Sequence, residues 1–135
     1  MPYANLRVLL VMPPERHREI SRQLLPLNAQ LVFADPSGRT EEPIKEDDIF
    51  QVAILPGTLT DTDWWKLWGV LGLLSKRPAI LVYARDASFQ LWAGVLESGG
   101  YDVIVEPFSD SEIRDAVCRA AESFEDHLSN GLLSE

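Results

Sequence analysis

The chain has 135 residues, 46% of them hydrophobic and 24% charged. That is the length of one domain and enough to bury roughly two-thirds of the unfolded chain's surface, which excludes disorder, collagen-like repetition and two separate cores. Acidic residues outnumber basic ones 21 to 12, a formal charge of −9 with the cations scattered, so direct contact with nucleic acid or an anionic membrane is disfavoured, and Cys118, the only cysteine, can make no internal disulfide.

Met1-Pro2-Tyr3 leads directly into a strand-like run with no basic and cleavable apolar segment before it, so a cytoplasmic location is expected. Apolar runs of strand length recur at residues 7–12, 30–34, 51–55, 79–83 and 101–105. They are rich in Val, Ile and Leu without clean polar alternation, the pattern of parallel strands covered on both faces. Between the first two, residues 14–25 place His17, Ile20 and Leu24, with Leu27 just beyond, on one side of a helix that Pro26 stops. Residues 37–48 hold Gly38 and Pro43 and little apolar content, which predicts a short or irregular second crossover.

A third helix over 63–75 groups Trp64, Leu67, Trp68, Leu71 and Leu74. Residues 64–74 form the longest apolar stretch, eleven residues interrupted by Lys66, well short of the roughly 20 that span a bilayer. A fourth helix over 87–98 groups Phe89, Trp92, Ala93 and Leu96 and stops at Gly99-Gly100. The fifth opens on a capping box, Ser109 with Glu112, and runs through Ile113, Ala116, Val117, Ala120 and Phe124 toward Leu128. The domain is therefore expected to occupy residues 1–128, with 129–135 a frayed tail or the start of a linker. Five alternations of strand and helix predict an α/β fold with a parallel sheet between two helical layers.

In open α/β sheets the chemistry lies beyond the carboxyl ends of the strands. Here those positions hold Met12-Pro13-Pro14, Pro56-Gly57-Thr58, Tyr83-Ala84-Arg85 and Glu106-Pro107. The first turn has no glycine-rich phosphate cradle, and its two prolines lack the N–H donors such a cradle uses. His17, His127 and Cys118 have no metal-ligand spacing, and no nucleophile elbow is present. No catalytic residue, metal or cofactor is expected.

The strand-end phrase Val103-Ile104-Val105-Glu106-Pro107-Phe108, the Leu96-Glu97-Ser98-Gly99-Gly100 before it and the Ser109-Asp110-Ser111-Glu112-Ile113 after it resemble the receiver domains of bacterial two-component response regulators. The resemblance runs over nearly the whole chain. It implies a three-layer, flavodoxin-like (CheY-like), doubly wound five-stranded parallel sheet of order 2-1-3-4-5, phosphorylated on an aspartate ending strand three. The acidic pair that holds Mg²⁺ would fall at Met12 and Pro13, the phosphoacceptor at Pro56, the Thr or Ser after strand four at Tyr83, and the lysine before the proline at Glu106. Mg²⁺ needs oxygen ligands, and phosphoryl transfer needs an acceptor oxygen with cations around it. A degenerate pseudo-receiver follows from these residue types. The cis bond that receivers often carry would precede Pro107, and Asp61 and Asp63 read as helix-capping residues.

Such a module acts through contacts. Trp65 beside Gly69 and Gly72 is one candidate surface. On the fourth helix Leu91 and Val95 are expected to point outward, and the resemblance implies a homodimer or partner contact over the fourth helix, fifth strand and fifth helix, with Arg114 and Arg119 contributing. Glu106 is expected to pair with Arg85. The resulting function is a phosphorylation-independent signalling module of a two-component-type regulator, controlling an attached or partner transcriptional output, with room for an output domain beyond Glu135. The alternative is a small-ligand sensor whose pocket is lined by Tyr83, Met12 and Trp64, with Glu106 as its charged anchor. An enzyme is not expected, because no base and nucleophile converge at the strand ends.

Overall fold

Five parallel strands form one sheet in the order β2-β1-β3-β4-β5, with β1 at Arg7–Val11, β2 at Gln30–Ala34, β3 at Val52–Pro56, β4 at Ala79–Ala84 and β5 at Asp102–Val105. The computed structural model describes residues 6–35, 40, 44–45, 47–57, 67, 69, 71, 74–85, 88–97 and 100–133, without the side chains of 89 and 127–133. Central β1 pairs Val8 with both Leu31 and Val52, and β3 carries its ladder through to Pro56 beside Tyr83. The flavodoxin-like order expected from the sequence is the one observed.

Strand side chains alternate between two cores, as a pleat buried on both faces requires. Val8, Leu10, Val52, Ile54, Leu81 and Tyr83 face one side, where helix α1 (His17–Leu24) brings Ile20 and Leu24 and helix α3 (Asp110–Leu133) brings Ile113, Val117 and Ala120. Leu9, Val11, Ala53, Leu55, Ile80 and Val82 face the other. Leu67, Leu71 and Leu74 cover that second face, together with Val95 of helix α2 (Phe89–Glu97).

Local chemistry explains the boundaries. Pro13, extended at φ −63° and ψ 151°, leads into a 3-10 turn at Pro14–Arg16, closed by the Arg16 N–H on the Pro13 carbonyl at 3.0 Å. The expected first helix is thus a 3-10 turn, a regular helix from His17 and a second 3-10 turn at Leu25–Leu27 that contains Pro26. Asn28, at φ 53°, ends it in the left-handed conformation that asparagine tolerates. No residue described between Asp35 and Phe50 is helical; Thr40 instead bridges Ala34 in antiparallel fashion. The capping box forms as expected, the Ser109 N–H donating to Glu112 and the Glu112 N–H to the Ser109 hydroxyl, each at 3.2 Å. Helix α3 then continues past Leu128 to Leu133.

The fourth predicted helix, α2, corrects one expectation. Val95 is 3% exposed and Leu91 half-buried, both against the second core, while Trp92 (44%) and Leu96 (39%) face outward. Apolar residues occur on both sides of this helix, so periodicity offers two stripes. The Leu91–Val95 stripe seats because Leu91 reaches the turn at Gly57, where a Cβ would lie 3.4 Å from its Cδ2 and 3.2 Å from the Ala84 Cβ.

Candidate site at the strand ends

The carboxyl ends of β1, β3 and β4 are closed by one aromatic side chain. Tyr83, 5% exposed, donates its hydroxyl hydrogen to the Val11 carbonyl at 3.1 Å, so its ring reaches from β4 to the end of β1. Burial pushes its phenol up to about 12, offset in part by the Arg16 charge and assisted by that of Glu106. The Arg16 guanidinium lies 5.1 Å from the centre of the ring, a cation–π contact, and forms an ion pair with Glu106. The 3-10 turn set by Pro13 and Pro14 delivers Arg16 to this place. Glu106 follows β5, is fixed by its N–H on the Ala84 carbonyl at 2.8 Å, and precedes Pro107 through a cis bond, the form receivers often carry there and one the sequence left open.

His17 steadies the same corner. Its ring stacks on Phe33 of β2 with centroids 3.8 Å apart, and its Nε2 lies 2.9 Å from the Met12 carbonyl. A carbonyl only accepts, so that nitrogen carries the proton. Asp110 at the start of α3 accepts hydrogen bonds from the two terminal guanidinium nitrogens of Arg22 at 2.9 and 3.2 Å, and from Gln23 Nε2 at 3.1 Å. The hydrogen bonds from Arg22 and then Gln23 hold this carboxyl below the usual carboxylate range.

Between α1 and the loop from β5 to α3 lies a groove of about 500 Å³. Met12 and Ile20 form its buried floor and Phe108 and Pro107 a side, while Arg16, Glu19, Gln23, Arg85 and Glu106 supply polar atoms. Of the expected pocket residues, Met12, Glu106 and Pro107 line this groove. Tyr83 lies beneath Arg16 instead of lining it, Pro13 is exposed, and Pro56 is half-buried beside Tyr83. The expected partner of Glu106 is corrected from Arg85 to Arg16, because the 3-10 turn folds Arg16 over the strand ends while Arg85 stays exposed at the rim.

Trp64, Trp65, Asp61 and Asp63 lie outside the described residues. Arg119 is exposed, whereas Arg114 donates to the Gln23 carbonyl at 3.3 Å and so faces α1. Cys118 is a free thiol that burial pushes up, away from reactivity.

A receiver fold implies Mg²⁺, but the residues at these strand ends do not fit it. Met12, Pro13 and Pro56 offer no side-chain oxygen, and Glu106 is engaged by Arg16. Among the described residues no group of three or more His, Cys, Asp or Glu is placed to hold a metal ion, and no helix is long and apolar enough to cross a membrane.

No protein-family model matches the chain. It is 30% identical over 108 residues to the transcriptional regulatory protein HprR of Escherichia coli (strain K12), an alignment covering 80% of this chain and 48% of that protein. The chain thus spans about half the length of the curated relative it matches. Solved structures agree on the fold. A CheY-like response regulator receiver domain protein of Methanospirillum hungatei superposes with a TM-score of 0.71 at 17% identity, over 92% of this chain and 99% of its own. The non-phosphorylated HemR receiver domain of Leptospira biflexa gives 0.69 at 21%, over 87% and 94%. The receiver domain of the sensor histidine kinase PA1611 of Pseudomonas aeruginosa, which carries magnesium in its active site cleft, gives 0.66 at 18%, over 88% and 99%. The chain has the CheY-like receiver fold.

Proposed function

We propose that this domain is a receiver-like signalling module of a response regulator that works without phosphorylation, as a cytoplasmic binding module and not an enzyme. The observation that carries the reading is Tyr83 sealed beneath the Arg16–Glu106 ion pair at the ends of β1, β3 and β4. Where the receiver likeness calls for carboxylates the chain has Met12, Pro13 and Pro56, and where it calls for a lysine it has Glu106. The ion pair then holds one arrangement of the β5–α3 loop that a phosphoryl group would otherwise select. Signalling would be an assembly equilibrium, shifted by a partner with different affinities for its states. Trp92 and Leu96 on α2, which the sequence pattern grouped with the core, and Val105 (47% exposed) on β5 give that contact apolar side chains on the α2–β5 side. The name of the Escherichia coli relative supports a transcriptional output, attached or separate.

Intact mass and light scattering, before and after acetyl phosphate with Mg²⁺, test this. The expected result is an unchanged mass and an unchanged assembly state. A phosphoryl adduct accompanied by a change of assembly would overturn the reading and direct attention to Asp61 or Asp63. A second reading, a small-ligand sensor, is favoured by the groove itself, with its apolar floor and polar rim.

A further inference from the structure

We propose that the groove between α1 and the β5–α3 loop takes a small zwitterion with an apolar body, such as a free aromatic amino acid, its anionic end on Arg85 and its cationic end on Glu19. The inference rests on the ligand-sensor reading and names the class of ligand for that same site. Its basis is the balance of charge around the groove. Arg16 and Glu106 neutralise one another and are further fixed by the Tyr83 ring and the Ala84 carbonyl. Gln23 has its amide nitrogen on Asp110. Two lining residues of opposite charge remain, Glu19 and Arg85, both exposed and neither hydrogen-bonded nor ion-paired among the described residues.

With Arg16 and Glu106 cancelling one another, a purely anionic ligand would engage Arg85 and leave the Glu19 carboxylate unmatched in a chain already at −9, and a purely cationic one would engage Glu19 and leave Arg85 unmatched. A ligand bearing one charge of each sign satisfies Arg85 and Glu19 together and leaves the Arg16–Glu106 pair intact. Met12, Ile20 and Phe108 offer its body an apolar bed, and about 500 Å³ falls within the usual range for small-molecule sites.

The test is an amide-shift titration of the ¹⁵N-labelled chain with phenylalanine, phenylacetate and phenethylamine, three probes that share a ring and differ in charge. Phenylalanine is expected to move the amides of Met12, Gln23, Arg85 and Phe108, with each singly charged probe about tenfold weaker. Arg85→Gln and Glu19→Gln should each cost phenylalanine about the same factor while leaving thermal melting unchanged. If phenylacetate or phenethylamine binds in the groove as well as phenylalanine does, the zwitterion inference fails and the ligand reading stands. If none of the three moves the groove amides, both fail.

Discussion

Tyr83 shows how one side chain decides what a strand end can do. Its phenol stands at about 12 against roughly 10 in an unfolded chain, so the neutral hydroxyl is favoured by folding. The resulting stability is complete below about pH 10 and is lost as pH rises through about 12. An absorbance titration should therefore show one of the three tyrosines ionising late, coincident with alkaline unfolding, and Tyr83→Phe should remove that component. The same variant strands the Val11 carbonyl and should cost about 1 kcal/mol in urea denaturation at pH 7. The Arg16–Glu106 pair is partly screened by solvent, so Arg16→Ala should cost only about 1–2 kcal/mol, and Glu106→Lys, which sets a cation against Arg16, should cost more than Glu106→Gln. The charge reversal at Glu106 was legible in the sequence; its partner was not. Arg85 sits on the neighbouring strand end and looked nearer, whereas Arg16 arrives only because two prolines force a 3-10 turn after β1.

At the scale of the element, α2 is the instructive case. Helices with one apolar stripe declare their buried face, as α1 does with Ile20 and Leu24. Helix α2 has apolar residues on both sides, so Trp92 and Leu96 compete on equal terms with Leu91 and Val95 until the sheet beneath is in place. The burial difference predicts that Val95→Ala costs about 1–3 kcal/mol, while Leu96→Ser stays within about 0.5 kcal/mol in the isolated domain, read from urea midpoints. Helix termination is stricter. The Gly100 N–H reaches back to the Val95 carbonyl at 2.7 Å, and a Cβ there would stand 2.4 Å from the Val95 Cγ1 and 2.8 Å from that carbonyl oxygen. Gly100→Ala should destabilise by about 1–3 kcal/mol by the same measurement. The glycine stop and the capping box could be read from sequence because both act between residues a few positions apart.

For the whole molecule, layering followed from the alternation of elements and the right-handed crossover rule, and strand order from the receiver resemblance carried by residues 96–113, which is why the fold was legible where the site was not. The groove depends on how far α1 stands from the β5–α3 loop, a distance no local pattern encodes. The proposed loss of Mg²⁺ binding has a global readout: a ligand of the native state raises the melting temperature by mass action, so millimolar Mg²⁺ is expected to leave this chain's melting curve in place.

The two outermost strands carry a further consequence for self-association. Thr40 pairs with Ala34 across the outer side of β2, and β5 is only four residues long, opens on the carboxylate of Asp102 and is followed within two residues by Pro107, which has no N–H. Short, charged or capped margins discourage backbone pairing between molecules. Fusion of the sheets of two copies into one continuous ribbon, the route to a fibril, is therefore disfavoured at both margins.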